Sequence, residues 1–170
     1  MSIAILLKGV KMNARVVALV LLAAAVTLSS VAAAGPDAAK QRVVITSQGS
    51  HPTQAPPFVL TPLQAGGLKR DSGTQTAGSP SVRTAMRAAQ RVEIYDTVGT
   101  LKGKRGNLVI QYRTEYVDGG NGYHVGTGTW KVVRGTGQYA GVTGGGREGG
   151  VWLESNDHWS TRSEGFLTLP

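Results

Sequence analysis

The amino-acid sequence predicts an all-β fold, an antiparallel barrel or sandwich of about seven or eight strands. In Asn107–Val117 (NLVIQYRTEYV), Leu, Ile, Tyr, Thr and Tyr occupy alternate positions, which is the pattern of a strand with one buried face. The stretch Gly126–Gly146 (GTGTWKVVRGTGQYAGVTGGG) reads as a strand, a compact glycine-rich corner and the start of another strand. Short turn sequences separate the other strand-like runs, which is typical of antiparallel sheets.

The first 34 residues have the pattern of a secretory signal peptide. Lys8, Lys11 and Arg15 precede the uninterrupted apolar run Val16–Val26, and three alanines at 32–34 offer a cleavage site. The apolar run is shorter than the about 20 residues that a membrane-spanning helix needs, so an uncleaved anchor is the less favoured alternative. The sequence therefore predicts a secreted protein that is not membrane-anchored after cleavage.

The charge of the chain is basic, and the chain contains no cysteine. The 170 residues carry a formal net charge of +8. Removal of residues 1–34 would leave fifteen basic and ten acidic residues, a net charge of +5. Such a charge allows contact with an anionic cell-wall polymer, although ordinary solubility is the simpler explanation. The absence of cysteine excludes disulfides and thiolate metal sites.

Residues 35–57 are predicted to form a flexible, disordered linker ahead of a barrel domain at 58–170. Three prolines in His51–Pro57 cannot donate hydrogen bonds to a sheet ladder, whereas Arg42–Thr46 (RVVIT) could form a short edge strand. Phe58–Leu63 (FVLTPL) is predicted to be the first barrel strand. Asp71, in the loop-like stretch that follows, is expected to close a turn by accepting backbone N–H bonds.

The central part of the chain contains one ambiguous run. Val82–Ala89 (VRTAMRAA) fits a strand and a helix equally, because its composition favours helix whereas the surrounding runs favour strands. Gln90–Tyr95 alternates as a strand, and Asp118–Gly122 (DGGNG) is predicted to be a hairpin loop. Gly146–Glu154 and His158–Leu169 are predicted to be the last two strands.

Several stretches resemble the small secreted bacterial proteins related to the allene oxide cyclase barrel. These stretches are FVLTPLQAGGLKRDSGT, TLKGKRGNLVIQYRTEYV, HVGTGTWKVVRGTGQYAGVTGGG and EGFLT, within Phe58–Leu169. The most specific part is the pattern G-T-W-x-V-x-x-G-T-G-x-Y-A-G-x-x-G-x-G. The resemblance implies a calycin-like, eight-stranded antiparallel barrel, also found in plant dirigent proteins, and a secreted location. It implies a ligand-sized interior and a cyclase reaction only weakly, and it carries over no catalytic residue.

The sequence lacks the patterns of several other kinds of site. Gly135-Thr136-Gly137 follows a strand, but no long helix follows to bind a pyrophosphate, so a dinucleotide site is rejected. His51, His124 and His158 do not have the paired spacing of metal ligands. No cofactor or metal is therefore expected. Nucleic-acid binding is not expected either, because the central aromatic residues alternate towards the interior instead of forming an open stacking platform.

Four aromatic residues are the candidate ligand-binding residues of the barrel interior. They are Tyr112, Tyr116, Trp130 and Trp152. A barrel of about eight strands is either filled by its side chains or holds one small ligand, and both alternatives stay open. Among the carboxylates in predicted strands, Glu115 is expected on the outer face with Arg113.

Three functions follow from these observations. The favoured one is a non-catalytic module that binds a small apolar ligand in the barrel. The first alternative is an isomerase or cyclase that uses an interior tyrosine or glutamate, and the second is a structural or interaction protein with a filled barrel. The sequence does not identify a catalytic residue, a specific ligand or an oligomeric state.

Overall fold

A computed structural model describes residues 39–50 and 55–170. These residues form nine strands and one short 3-10 helix at Gly137–Tyr139. The strands are β1 Lys40–Ser50, β2 Pro57–Pro62, β3 Asp71–Ala77, β4 Ser81–Arg87, β5 Gln90–Gly103, β6 Asn107–Asp118, β7 Tyr123–Gly135, β8 Thr143–Leu153 and β9 His158–Thr168. The predicted signal peptide, residues 35–38 and residues 51–54 of the predicted linker lie outside the described residues. No helix within the described ranges has the length and apolar character needed to cross a membrane.

The strands form one antiparallel sheet that closes on itself. Its order is β3-β2-β1-β9-β8-β7-β6-β5-β4, and a further pairing between β3 and β5 closes the barrel. Eight strands therefore make the barrel, and β4 is an additional strand that pairs with β5 alone. The prediction of an all-β, eight-stranded antiparallel barrel is confirmed.

The barrel begins at β1, ahead of the predicted boundary at Phe58. The expected short edge strand RVVIT is part of this eleven-residue strand, which pairs with both β2 and β9. Val43 and Ile45 are 0% and 3% exposed, so β1 contributes directly to the core. The boundary predicted from the proline-rich stretch is therefore too late in the chain. Its prolines belong to the β1–β2 connection or its edge and do not interrupt β1.

The ambiguous run at 82–89 is a strand and its turn. β3 and β4 pair in succession with β5, separated by Gly78-Ser79-Pro80. β4 then turns back into β5 through Ala88 and Ala89, whose φ angles of 47° and 66° lie in the left-handed region. The helical propensity of alanine and methionine is overridden because β5 offers a full hydrogen-bonding edge.

The predicted faces of β6 and β7 are confirmed. Leu108 and Ile110 are fully buried and Trp130 is 3% exposed, so their shared face is the barrel interior. Glu115 lies on the opposite face, where its Oε1 is 3.1 Å from Nη2 of Arg87. β7 contains an irregularity opposite Val109 and Ile110, after which its register with β6 shifts.

An apolar core fills one end of the barrel, here called the closed end, where the β2–β3, β5–β6 and β7–β8 connections lie. Its buried residues are Val43, Ile45, Phe58, Leu60, Leu68, Leu101, Leu108, Ile110, Trp130, Tyr139, Val142 and Leu167. The opposite end, here called the open end, carries the β4–β5, β6–β7 and β8–β9 connections. Its interior side chains are mostly half-buried.

A buried hydrogen-bond network holds the closed end together. Tyr139 is 1% exposed, and its hydroxyl donates to Oδ2 of Asp71 over 3.0 Å. Asp71 also accepts the backbone N–H groups of Ser72, Lys104 and Arg105 at 2.8, 3.0 and 3.3 Å. The expected turn-closing role of Asp71 is therefore confirmed. Each oxygen of this buried carboxylate is satisfied, which removes the cost of an unpaired polar group.

Candidate functional site

β8 places one carboxylate, Glu148, inside the barrel. Glu148 is paired with Gly128 of β7 and with Ser163 of β9. Residues paired across antiparallel strands share a face, and Gly128 lies two positions from the buried Trp130 on β7. The Glu148 side chain therefore points to the interior, at the level where the apolar core ends.

Two hydroxyl groups hold the Glu148 carboxyl. Oγ1 of Thr114 donates to Oε1 over 2.8 Å, and Oγ of Ser163 donates to Oε2 over 3.1 Å. Thr114 and Ser163 are 5% and 3% exposed, so both hydroxyls are themselves buried. Each carboxyl oxygen thus has one partner, supplied from β6 on one side and from β9 on the other.

The position inside the barrel changes the acidity of Glu148. Burial raises the pKa of this carboxyl, and the hydrogen bonds from Thr114 and Ser163 lower it by a smaller amount. The group therefore keeps its proton to a higher pH than an exposed glutamate, whose pKa is about 4.3. Because a hydroxyl can rotate from donor to acceptor, the same two partners serve the protonated and the ionised form.

Tyr112 and Tyr116 flank this carboxyl on β6. Burial, and secondly the negative charge of Glu148, raises the pKa of the Tyr112 hydroxyl above its usual range. The same two causes, in the same order, raise the pKa of Tyr116 to about 12, with a smaller contribution from Tyr95. Both phenols therefore stay protonated at neutral pH and can donate hydrogen bonds to a bound molecule.

A glycine opposite Tyr116 makes room for its ring. Gly126 pairs with Tyr116, and a Cβ atom at Gly126 would lie 2.6 Å from the tyrosine ring. The ring of Tyr95 contacts Tyr116 edge to face, with centroids 5.3 Å apart. The Tyr95 hydroxyl in turn donates to Oε2 of Glu93 over 2.9 Å. These contacts form an aromatic wall from Glu148 towards the rim of the open end.

Trp130, a third candidate from the sequence, belongs to the apolar core beneath Glu148. Its indole N–H lies 3.2 Å from the carbonyl oxygen of Arg147 and 3.3 Å from that of Glu164. At 3% exposure it closes the floor of the site, level with its cross-strand partner Tyr112 and below Glu148 and Tyr116.

Trp152, the fourth candidate, lies at the rim of the open end. Its ring stacks on His124 with centroids 4.7 Å apart, and its indole N–H donates to Oδ1 of Asp157 over 2.8 Å. Nε2 of His124 is 2.7 Å from Oε1 of Glu154. The structure thus brings Tyr112 and Tyr116 together around Glu148 and places Trp130 below and Trp152 at the rim.

Glu148, Thr114 and Ser163 are site residues that were not predicted from the sequence. The usable signal was the alternation of β8, in which Glu148 shares a face with Trp152. Glycines at 144, 146, 149 and 150 hide that alternation, because a glycine carries no information about which face is buried. The hydroxyl partners lie 34 and 15 residues away in sequence, so only the strand register could reveal them.

No group of acidic or histidine side chains within the described residues is arranged to hold a metal ion. His124 contacts Glu154, and Nδ1 of His158 is 3.3 Å from Oγ of Ser50. His51 lies outside the described residues.

Comparisons with known proteins provide no name for this arrangement. No protein-family model, no curated protein and no solved structure matches the chain. The eight-stranded antiparallel barrel is the part of the predicted resemblance that the structure shows. Membership of the allene oxide cyclase-like or dirigent-like group stays a prediction.

Proposed function

We propose that this chain is a secreted, non-catalytic barrel that binds a small, largely apolar ligand in its open end. The observation that carries the proposal is a hydrogen-bonded carboxyl, Glu148, among half-buried aromatic side chains above a closed apolar core. Binding sites for small molecules are typically apolar and contain a few placed polar groups. The secreted location rests on the signal-like residues 1–34.

The apolar wall of this site extends beyond the barrel rim onto β4. Val82 pairs with Tyr95, so the two side chains share a face, and Met86 lies further along the same face. Val82 and Met86 are 51% and 62% exposed. Exposed apolar side chains that continue an aromatic wall favour a ligand with an apolar body, whose binding would remove them from water.

The polar groups define which ligand functions fit. A protonated Glu148 can donate a hydrogen bond to a carbonyl or ether oxygen, and an ionised Glu148 can accept one from a hydroxyl. Tyr112 and Tyr116 add two phenolic donors on the same side. The ligand is therefore an apolar molecule with at least one oxygen near one end.

Native mass spectrometry of the protein, purified without detergent from cells that produce it, tests the proposal. We expect the wild-type protein to carry a bound apolar molecule. We expect a Thr161→Phe variant to lose it, because the larger side chain fills the interior opposite Gly150. A Lys69→Gln variant in the exposed β2–β3 loop is the control and should retain the molecule. A ligand-free wild-type mass, together with no uptake of long-chain alcohols, ketones or epoxides, contradicts the proposal.

The raised pKa of Glu148 favours a second candidate function, an isomerase or cyclase. A buried carboxyl with a raised pKa can transfer protons nearer neutral pH than an exposed one. Tyr112 and Tyr116, which stay protonated, can donate to an oxygen that gains negative charge during the reaction. The weak cyclase implication of the allene oxide cyclase-like resemblance points the same way.

Glu148→Gln separates the two candidates once a ligand is known. If the chain is a binding module, Glu148→Gln should bind the ligand with a modest change in affinity. Neither the wild type nor the variant should convert the ligand into a product. In an isomerase it should bind the ligand but lose turnover by at least about a hundredfold, the usual contribution of a general acid or base. Binding of no ligand by either protein supports the third alternative, a structural protein with a filled barrel.

A further inference from the structure

The outer surface of the barrel carries a groove that is separate from the open end. It runs along β8 between β7 and β9 and has a volume of about 970 Å³. A second depression of about 390 Å³ continues on the β6 side of Arg147, where one arginine and one glutamate, Arg113 and Glu115, line it. The two depressions share Thr127 and Arg147 and together cross the outside of the barrel from β9 to β6.

The floor of this groove is low because β8 carries glycine on its outer face. Gly145 and Gly149 alternate with Arg147 on that face, opposite to Glu148. At Gly149 an added Cβ atom would find its nearest neighbour, the carbonyl oxygen of Gly126, at 4.0 Å, so the glycine leaves open space. Neighbouring strands keep their outward side chains, which form the two walls.

The walls and floor are rich in arginine. Arg42, Arg147 and Arg162 line the groove, and Glu164 is the single acidic side chain on its outer face. Glu164 is shared by Arg162 at 2.7 Å and Arg42 at 3.2 Å. Hydrogen bonds from Arg162 and then Arg42 keep the pKa of Glu164 below its usual range. Among the ion pairs of the described residues, none involves Arg147, so the groove is net positive.

One aromatic ring lies at the closed-end side of the groove. Phe166 is 40% exposed, and Nζ of Lys40 lies 4.5 Å from its ring centroid. Ser160 and Thr127 add hydroxyl groups further along. The groove thus offers cations, hydroxyls and one exposed ring around a floor that contains glycine.

The geometry points to an anionic polysaccharide, carrying carboxylate or phosphate groups, as the occupant of this groove. Arginine binds either anion with paired N–H groups, and the ring of Phe166 can contact the apolar face of one sugar. Single-stranded nucleic acid is disfavoured because it relies on several stacking aromatics. A two-fold dimer through this face is also disfavoured, because it would bring Arg147 and its neighbours against their own copies.

The test is isothermal titration calorimetry of the protein with oligogalacturonate, which supplies carboxylates on sugars, and with phosphorylated dextran, which supplies phosphates on sugars. Gly149→Leu should weaken binding at least about tenfold at unchanged net charge, because the side chain fills the floor. Arg147→Gln should weaken it about two- to fivefold, the effect of one exposed ion pair. Arg91→Gln, on the β4–β5 hairpin, removes the same charge elsewhere and should change binding by less than about 1.5-fold.

Several outcomes would overturn the assignment. Equal effects of Arg147→Gln and Arg91→Gln, with no effect of Gly149→Leu, would mean that the protein attracts polyanions by net charge alone. Tighter binding of single-stranded DNA or of phosphatidylglycerol vesicles than of both polymers would assign the groove to a nucleic acid or to a lipid surface. A change in sedimentation from dimer to monomer in Gly149→Leu would make the groove an interface between copies. Unchanged thermal unfolding of Gly149→Leu keeps each result interpretable.

Discussion

The two ends of the barrel each contain a carboxylate and a tyrosine, but the two pairs are held differently. At the closed end Asp71 accepts three backbone N–H groups and the Tyr139 hydroxyl. At the open end Glu148 accepts only two side-chain hydroxyls, from Thr114 and Ser163. Backbone donors cannot turn around when a carboxylate gains a proton, whereas hydroxyls can. The closed end is therefore suited to fixing a loop, and the open end to a carboxyl that changes its partner or its proton.

The tyrosines differ in the same way. Tyr139 is 1% exposed and uses its hydroxyl within the protein. Tyr112 and Tyr116 make no side-chain hydrogen bond to any described residue, yet no buried side-chain polar atom in those residues lacks a partner. Among the described residues, neither phenolic hydroxyl therefore has a hydrogen-bond partner. The closed end thus uses its tyrosine hydroxyl within the protein, whereas the two tyrosines near Glu148 have no such partner among the described residues.

Truncation of a tyrosine to alanine should lower the free energy of unfolding far more at the closed end, at Tyr139, than at the open end. Tyr139→Ala removes a fully buried ring and should lower the free energy of unfolding by about 3–5 kcal/mol. Tyr95→Ala, at the half-buried open end, should lower it by less than half as much. Urea denaturation monitored by tryptophan fluorescence measures both values. Equal losses would mean that the two ends are packed alike.

Removal of a single tyrosine hydroxyl should also destabilise the closed end more than the open end. Tyr139→Phe takes one donor from the buried Asp71 carboxylate and should cost about 1.5–3 kcal/mol, the range for hydrogen bonds to charged groups. Tyr112→Phe removes a hydroxyl that has no partner among the described residues and should change stability by less than about 0.5 kcal/mol. A larger loss in Tyr112→Phe than in Tyr139→Phe, measured by the same denaturation, would reverse the assignment of roles.

The corner next to Tyr139 should be sensitive to backbone conformation. Gly141 has a φ of +70°, so Gly141→Val should destabilise the protein by about 1–3 kcal/mol through left-handed strain. Ala140→Val is the matched control, because Ala140 is exposed and has an ordinary φ of −60°. Thermal unfolding of both variants checks the prediction. Similar melting temperatures would show that the corner tolerates a side chain at Gly141.

The contribution of Glu148 to stability should depend on pH. Because burial raises its pKa, the folded state holds the Glu148 proton where the unfolded state has already lost it. Stability should therefore fall as pH rises through the ordinary glutamate pKa of about 4.3 towards the raised value. Glu148→Gln should remove that part of the decline.

Parallel denaturation series of wild type and Glu148→Gln between pH 4 and pH 8 measure this difference. The two proteins should be closest in stability at the acidic end, and the variant should gain relative to wild type as pH rises. A wild type that gains stability relative to the variant over this range would indicate a lowered pKa and contradict the account of the open end.

The alternation of residues along the strands predicted much of this architecture. The remaining features depend on which strands pair and in which register, and the sequence does not show these pairings. The faces of β6 and the turn-closing role of Asp71 follow from local patterns, because alternation and turn chemistry act over a few residues. β1 was assigned to a linker because its neighbours in sequence are prolines, whereas its partners β2 and β9 are set by long-range pairing. Glu148 was missed for the same reason, since its partner Thr114 belongs to a distant strand.

We propose that the open end, and not the closed end or the outer groove, takes up an apolar ligand. Fluorescence titration with the neutral apolar dye Nile red tests it most directly, with wild type, Thr161→Phe and Gly149→Leu compared. We expect saturable binding of one dye per chain, at least about tenfold weaker in Thr161→Phe and unchanged in Gly149→Leu. Equal binding by wild type and Thr161→Phe, or no saturable binding by any of the three, would contradict the claim.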